Sequence, residues 1–179
     1  MSRYSKITIA LLLVTVLLMA GCVKRYVVTT HLTQPLEESA NTRIGTFSDD
    51  LPIDMKAEDK PSMEDIAKFK NYIIEEINDK GLLIADLDVT KPRYEVVGSI
   101  FEFKKGSGAL RFFIGFGAGK AKLVAELKLV DMTTGKVLFA GNFKSETSSW
   151  SESGEKIFRQ IAQDFAKELE KQQSKINGM

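Results

Sequence analysis

Apolar residues along the chain recur with two periods, and each period marks a different kind of element. Between Ser62 and Gly81, Ile66, Phe69, Ile73, Ile74 and Ile77 fall at helical spacing, which predicts an amphipathic helix. Ser62 stands where a hydroxyl caps the free amides of a first turn, Asp65 sits where a capping box needs its acidic partner, and Gly81 suits a stop. A second helix is predicted from about Ser153 to Gln173, with Ile157, Ile161, Phe165 and Leu169 in one stripe. From Ala121 to Asp131 the period changes to two. There Ala121, Leu123, Ala125, Leu127 and Leu129 alternate with Lys122, Glu126 and Lys128, as in a strand with one face on the core. Asp131 to Lys136 reads as a hairpin turn, Val137 to about Glu146 as the next strand, and Tyr94 to Phe103 as the preceding one. Arg43 to Phe47 adds a short strand before the first helix. The sum is an α+β domain over residues 42–173, an antiparallel sheet of three to four strands with two helices packed on one face.

The amino-terminal pattern is different in kind. Arg3 and Lys6 precede an uncharged run from Ile7 to Ala20, and the small residues Ala20 and Gly21 lead into Cys22, the order of a secretory signal. The run is shorter than the roughly 20 apolar residues that a spanning helix needs. Leu18-Met19-Ala20-Gly21-Cys22 resembles the bacterial lipobox, with Met19 where Leu is commonest. That resemblance implies a signal peptide over residues 1–21, cleavage between Gly21 and Cys22, and acyl chains on Cys22. Two or three such chains hold far more firmly than one, because each buried CH₂ contributes about 0.8 kcal/mol. The polar stretch 22–41 is then expected to be a lipidated tether, residues 48–61 a solvated acidic loop, and residues 174–179 a flexible tail. Lipoproteins of enteric-type envelopes that carry Asp after the cysteine stay in the inner membrane. Val23 therefore points to the periplasmic face of an outer membrane, where the host has one.

Charge and cysteine content narrow the chemistry. The formal charge of the 179-residue chain is +1, and losing Arg3 and Lys6 with the leader takes it to −1, which gives nucleic acid no global attraction. Cys22 is the only cysteine, so once it is acylated neither a disulfide nor a cysteine-ligated metal is available. No cofactor is implied.

Two further motifs carry a family resemblance. Gly115-Phe116-Gly117-Ala118-Gly119-Lys120-Ala121-Lys122, together with Asp131 through Thr134-Gly135-Lys136-Val137-Leu138 and the lipobox, resembles the bacterial lipoprotein family catalogued as domain of unknown function 4410. The likeness runs over roughly Arg43 to Leu169 and implies export and architecture but no activity. As a looser fold analogy, the element order is similar to α+β domains of envelope assembly lipoproteins, including the curli-secretion channel lipoprotein and penicillin-binding-protein activators.

The Gly-rich segment does not bind nucleotides by its motif. A P-loop needs glycine where Ile114 stands and Ser or Thr where Ala121 stands, and a dinucleotide fingerprint from Gly115 fails at Lys120. Two readings remain. Either the glycines permit close turns while Phe112, Phe113 and Phe116 fill the core, or Phe112, Phe113, Phe116, Gly115, Gly117 and Gly119 form an exposed interaction segment that enters a membrane or docks a partner.

Catalytic constellations are sparse. His31 falls in the expected tether, without a rigid neighbour to orient it as a base. Ser153 and Lys156 have the Ser-x-x-Lys spacing of penicillin-recognising enzymes but lack the accompanying motifs, and helix capping accounts for Ser153. Asp49-Asp50, Glu37-Glu38 and Glu75-Glu76 are adjacent, so their side chains point apart. Trp150 is placed to pin the last strand to the second helix. The reading is a non-enzymatic, lipid-anchored envelope protein that binds a further envelope protein. A subunit of an oligomeric channel or membrane-inserting protein, and an envelope hydrolase, are the alternatives.

Overall fold

The computed structural model describes residues 26–51, 60–105, 120–147 and 155–178. Six strands and two helices follow one another: β1 (Tyr26–Thr30), β2 (Ala40–Asp49), α1 (Met63–Lys80), β3 (Leu83–Asp86), β4 (Tyr94–Lys104), β5 (Lys122–Asp131), β6 (Val137–Glu146) and α2 (Glu155–Asn177). The strands make one sheet in the order β1-β6-β5-β4-β2-β3. β4, β5, β6 and β1 pair antiparallel, while β2 runs parallel to both β3 and β4. The sheet is therefore six-stranded and mixed, which corrects the expected antiparallel sheet of three to four strands. The parallel pair β2–β3 needs a crossover, and α1 supplies it.

Both helices cover one face. Leu123, Ala125, Leu127 and Leu129 of β5 are fully buried beneath them, and the residues between are only half-buried. Phe158 of α2 lies 5.5 Å from Phe69 of α1 and 5.9 Å from Phe103 of β4, so the two helices and the middle of the sheet share an aromatic cluster. β2 joins it by a bulge between Ile44 and Phe47 that brings Phe47 within 5.4 Å of Phe69. The ring passes over Gly98 of β4, where a Cβ would stand 2.5 Å from Phe47 Cε1, so that position has room only for glycine.

Helix limits follow the local chemistry. Asp65 N–H donates to Ser62 Oγ at 3.1 Å and Ser62 N–H donates to Asp65 Oδ2 at 3.0 Å, a complete capping box, and Gly81 closes α1 in the left-handed conformation at φ 67°. The predicted stripe Ile157, Ile161, Phe165 and Leu169 is buried. α2 continues to Asn177, past the Gln173 end expected from the sequence, and so takes in most of the segment read as a tail. The turn after β5 is held by Asp131, whose Oδ1 accepts from the N–H groups of Thr133 (2.8 Å) and Thr134 (3.0 Å).

From Tyr26 onward, the segment expected to be a tether belongs to the domain. β1 adds an edge strand to β6, and Leu32 and Leu36 are buried. The reason lies in α2. Gln172 Oε1 accepts from Leu32 N–H at 2.8 Å, Gln173 Oε1 accepts from Leu36 N–H at 2.8 Å, and Gln173 Nε2 donates to Leu36 O at 3.3 Å. The polar backbone of an irregular segment is thereby satisfied inside the fold.

Candidate functional site at the amino-terminal end of the sheet

Strand direction sorts the molecule into two ends. β1 and β5 begin, and β4 and β6 finish, at one end, and the first turns of α1 and α2 lie there too. The opposite end holds the Asp131–Lys136 turn, Gly81 and the stretch from His31 to Ser39. The Gly-rich segment singled out by sequence connects at the first end. Lys104 and Lys122 are register partners on adjacent antiparallel strands, so residues 105–121 join neighbours in the sheet. Phe112, Phe113, Phe116, Gly115, Gly117 and Gly119 lie outside the described residues, as do Gly21, Cys22, Trp150 and Ser153.

The described residues at this end surround a recess of about 270 Å³ lined by Phe103, Ile157 and Phe158 together with Glu64, Asp65, Lys68, Lys105 and Glu155. Its charges are matched. Lys68 Nζ lies 2.8 Å from Glu155 and 3.1 Å from Glu64, and Lys105 Nζ lies 3.7 Å from Asp65. The hydrogen bond to Glu155, then that to Glu64, raises the Lys68 ammonium pKa. Burial raises the Asp65 carboxyl, but hydrogen bonds from the Ser62 side chain and backbone outweigh burial and hold it below its ordinary value. Both groups are thus kept as ions, whereas a general base or acid needs to change protonation near working pH.

A second polar cluster ties β1 to α2. Tyr26 Oη donates to Glu168 Oε2 at 2.8 Å, Gln172 Nε2 donates to Glu168 Oε1 at 3.2 Å, and Lys171 Nζ lies 3.0 Å from Glu168. Burial pushes the Glu168 carboxyl up, but the bonds from Lys171, Tyr26 and Gln172 bring it below its ordinary range. Burial first, and the bond to Glu168 second, raise the Tyr26 hydroxyl from 10.0 to about 12. Sequence reasoning missed this cluster. Its one legible trace was the pair of amides, Gln172 and Gln173, continuing the buried side of α2 where charged residues are commoner.

The other residues weighed from sequence stay apart. His31, Glu37 and Glu38 are exposed, and Glu76 pairs with Arg159 at 3.5 Å. Lys156 is exposed in the first turn of α2. Among the described residues no group of three or more His, Cys, Asp or Glu side chains is placed to hold a metal ion, and no helix is long and apolar enough to cross a membrane.

The fold has solved counterparts. A PelC dodecamer from Paraburkholderia phytofirmans is similar at a TM-score of 0.57 and 11% identity, over 81% of this chain and 97% of that chain. A Xanthomonas campestris protein of the family DUF330 is similar at a TM-score of 0.54 and 11% identity, over 86% of this chain and 98% of that one. At such identity the likeness is one of fold. No curated protein matches the chain. The family model for the domain of unknown function DUF4410 matches residues 38–151, from the turn before β2 through all of β6. The resemblance carried by the Gly-rich segment and the Thr-Gly-Lys turn is therefore a membership: the chain belongs to the DUF4410 family.

Proposed function

We propose that the protein is a lipid-anchored component of the cell envelope, held by acyl chains on Cys22, that works by binding or assembling other envelope molecules and not by catalysis. The observation that carries this reading is the position of Tyr26. The fourth residue after the lipobox cysteine is already hydrogen-bonded into the domain, so acyl chains on Cys22 would hold the domain close to the membrane. Catalysis gains no support at the described recess, where Asp65 and Lys68 are locked as ions. Val23, directly after Cys22, favours the periplasmic face of an outer membrane.

An oligomeric role is the second reading, favoured by the fold shared with a protein that forms a dodecamer. Radiolabelled fatty acid should enter the wild-type chain and not Cys22→Ala; equal incorporation in both would reject the anchor. Density separation of the membranes checks the address, and recovery with the inner membrane would contradict it. Crosslinking of the membrane-bound protein separates a monomeric adaptor from a ring-forming subunit.

A further inference from the structure

One corner of the end at which β1 begins carries an imbalance of charge. Lys104, Lys120, Lys122 and Lys144 gather where β4 and β6 finish and β5 starts, and among the described residues these four ammonium groups share two carboxylates. Lys122 Nζ lies 2.5 Å and Lys104 Nζ 3.9 Å from Glu102, while Lys120 Nζ lies 3.2 Å and Lys144 Nζ 3.6 Å from Glu146. The cluster is open to solvent: the side chains of Lys104 and Lys144 are 65% and 53% exposed. Glu146 is held below the usual carboxylate range, first by its bond from Lys120, and so remains an ion within the cluster. A positive surplus thus sits at one corner of a chain whose formal charge is only +1.

That corner adjoins the attachment point. Tyr26 pairs with Phe143, the residue before Lys144, and Val27 pairs with Asn142. Alternation along the strands places Val27, Asn142 and Lys144 on the sheet face opposite the helices. Four residue steps separate Cys22 from Tyr26, and at most roughly 3.3–3.6 Å per residue they span no more than about 14 Å. Screening at physiological salt acts over about 8 Å, and a link of at most about 14 Å lets the lysines come within that distance of the surface that holds Cys22.

We infer that this corner is a headgroup contact, in which Lys104, Lys120 and Lys144 lie against the anionic phosphates of the membrane that holds Cys22 and so dock the domain in one orientation. The inference rests on the reading that Cys22 is acylated. Phosphate oxygens accept from ammonium groups that the two glutamates leave partly unsatisfied, and lipid is the occupant that the length of the link brings to this surface.

The test uses the acylated full-length protein in vesicles of phosphatidylcholine, with and without phosphatidylglycerol. An amine-reactive reagent modifies the lysines, and mass spectrometry reads each site. Labelling of Lys104, Lys120 and Lys144 should fall about fivefold or more in the anionic vesicles, the scale of one basic group at such a surface. Lys91 and Lys136, exposed at the opposite end, should label alike in both. Lys104→Glu combined with Lys144→Glu should abolish the protection of Lys120 while the protein still floats with the vesicles. Equal labelling at both ends overturns the inference. Protection that persists in detergent micelles overturns it too, assigning the corner to a second copy of the chain. An unmodified mass for the Cys22 peptide, with loss of flotation, removes the acylation reading and this inference with it.

Discussion

The two halves of α2 do different work. Its first half turns Ile157, Phe158, Ile161, Ala162 and Phe165 onto the sheet, where Phe165 sits 5.6 Å from Phe139 and 5.8 Å from Phe143. Its second half buries Glu168, Gln172 and Gln173, almost as completely, against the segment that leads in from the amino terminus. Apolar burial is non-directional and sets how strongly the helix adheres. Buried polar groups require partners in fixed geometry, so they set where an irregular segment must lie. One helix thus supplies cohesion with one end and placement of the anchoring strand with the other.

The largest test of this division is Phe165→Ala. Loss of a fully buried ring should cost about 3–5 kcal/mol and lower Tm by about 10 °C, with amide exchange increasing across the whole sheet. A change confined to residues 26–36 would contradict the role given to the first half.

Gln172→Ala should cost less, about 1–3 kcal/mol, because it leaves Leu32 N–H buried without its acceptor. Here the signature is local: amide exchange should quicken at Leu32 and its neighbours while β4 and β5 keep their protection. Uniform quickening would mean that the strap and the core are a single cooperative unit.

The smallest effect belongs to the Tyr26–Glu168 hydrogen bond. Tyr26→Phe should cost about 1 kcal/mol at neutral pH. Glu168 has a depressed folded value, so its contribution is present above the ordinary carboxylate pKa and is lost as pH falls through the folded one. Tyr26 is raised to about 12, so its contribution is complete below pH 10 and lost as pH rises through about 12. Denaturant titrations across pH should therefore show the wild-type advantage over Tyr26→Phe shrinking on the alkaline side. An advantage that is constant up to pH 12 would place the bond outside the stability of the fold.

Sequence pattern was legible wherever the deciding contacts are close along the chain. Lys122 to Asp131 alternates because β5 lies in the middle of the sheet with one face under the helices, and its neighbours β4 and β6 are also near in sequence. The capping box of α1 and the Gly81 stop are decided within one turn of helix, so their residues declared them. β3 escaped because Leu83–Asp86 is four residues long, too short for periodicity to register. β1 escaped because Tyr26-Val27-Val28 is a short apolar run beside polar residues that read equally as a linker. The cluster of lysines around Glu102 and Glu146 was not legible in the sequence, because it comes from three strands that only pairing brings side by side.

By itself, then, the sequence determined the two helices, the three-strand meander from Tyr94 to Glu146 and the family, since periodicity, turn chemistry and short motifs are local properties. Tertiary structure alone decided that β2 runs parallel between β3 and β4, that the sheet extends to Tyr26, and that Gln172 and Gln173 are buried. Those outcomes depend on residues up to 142 positions apart. An amide on a helix is read as solvated until a distant backbone returns to cover it, and nothing in its own neighbourhood announces that return.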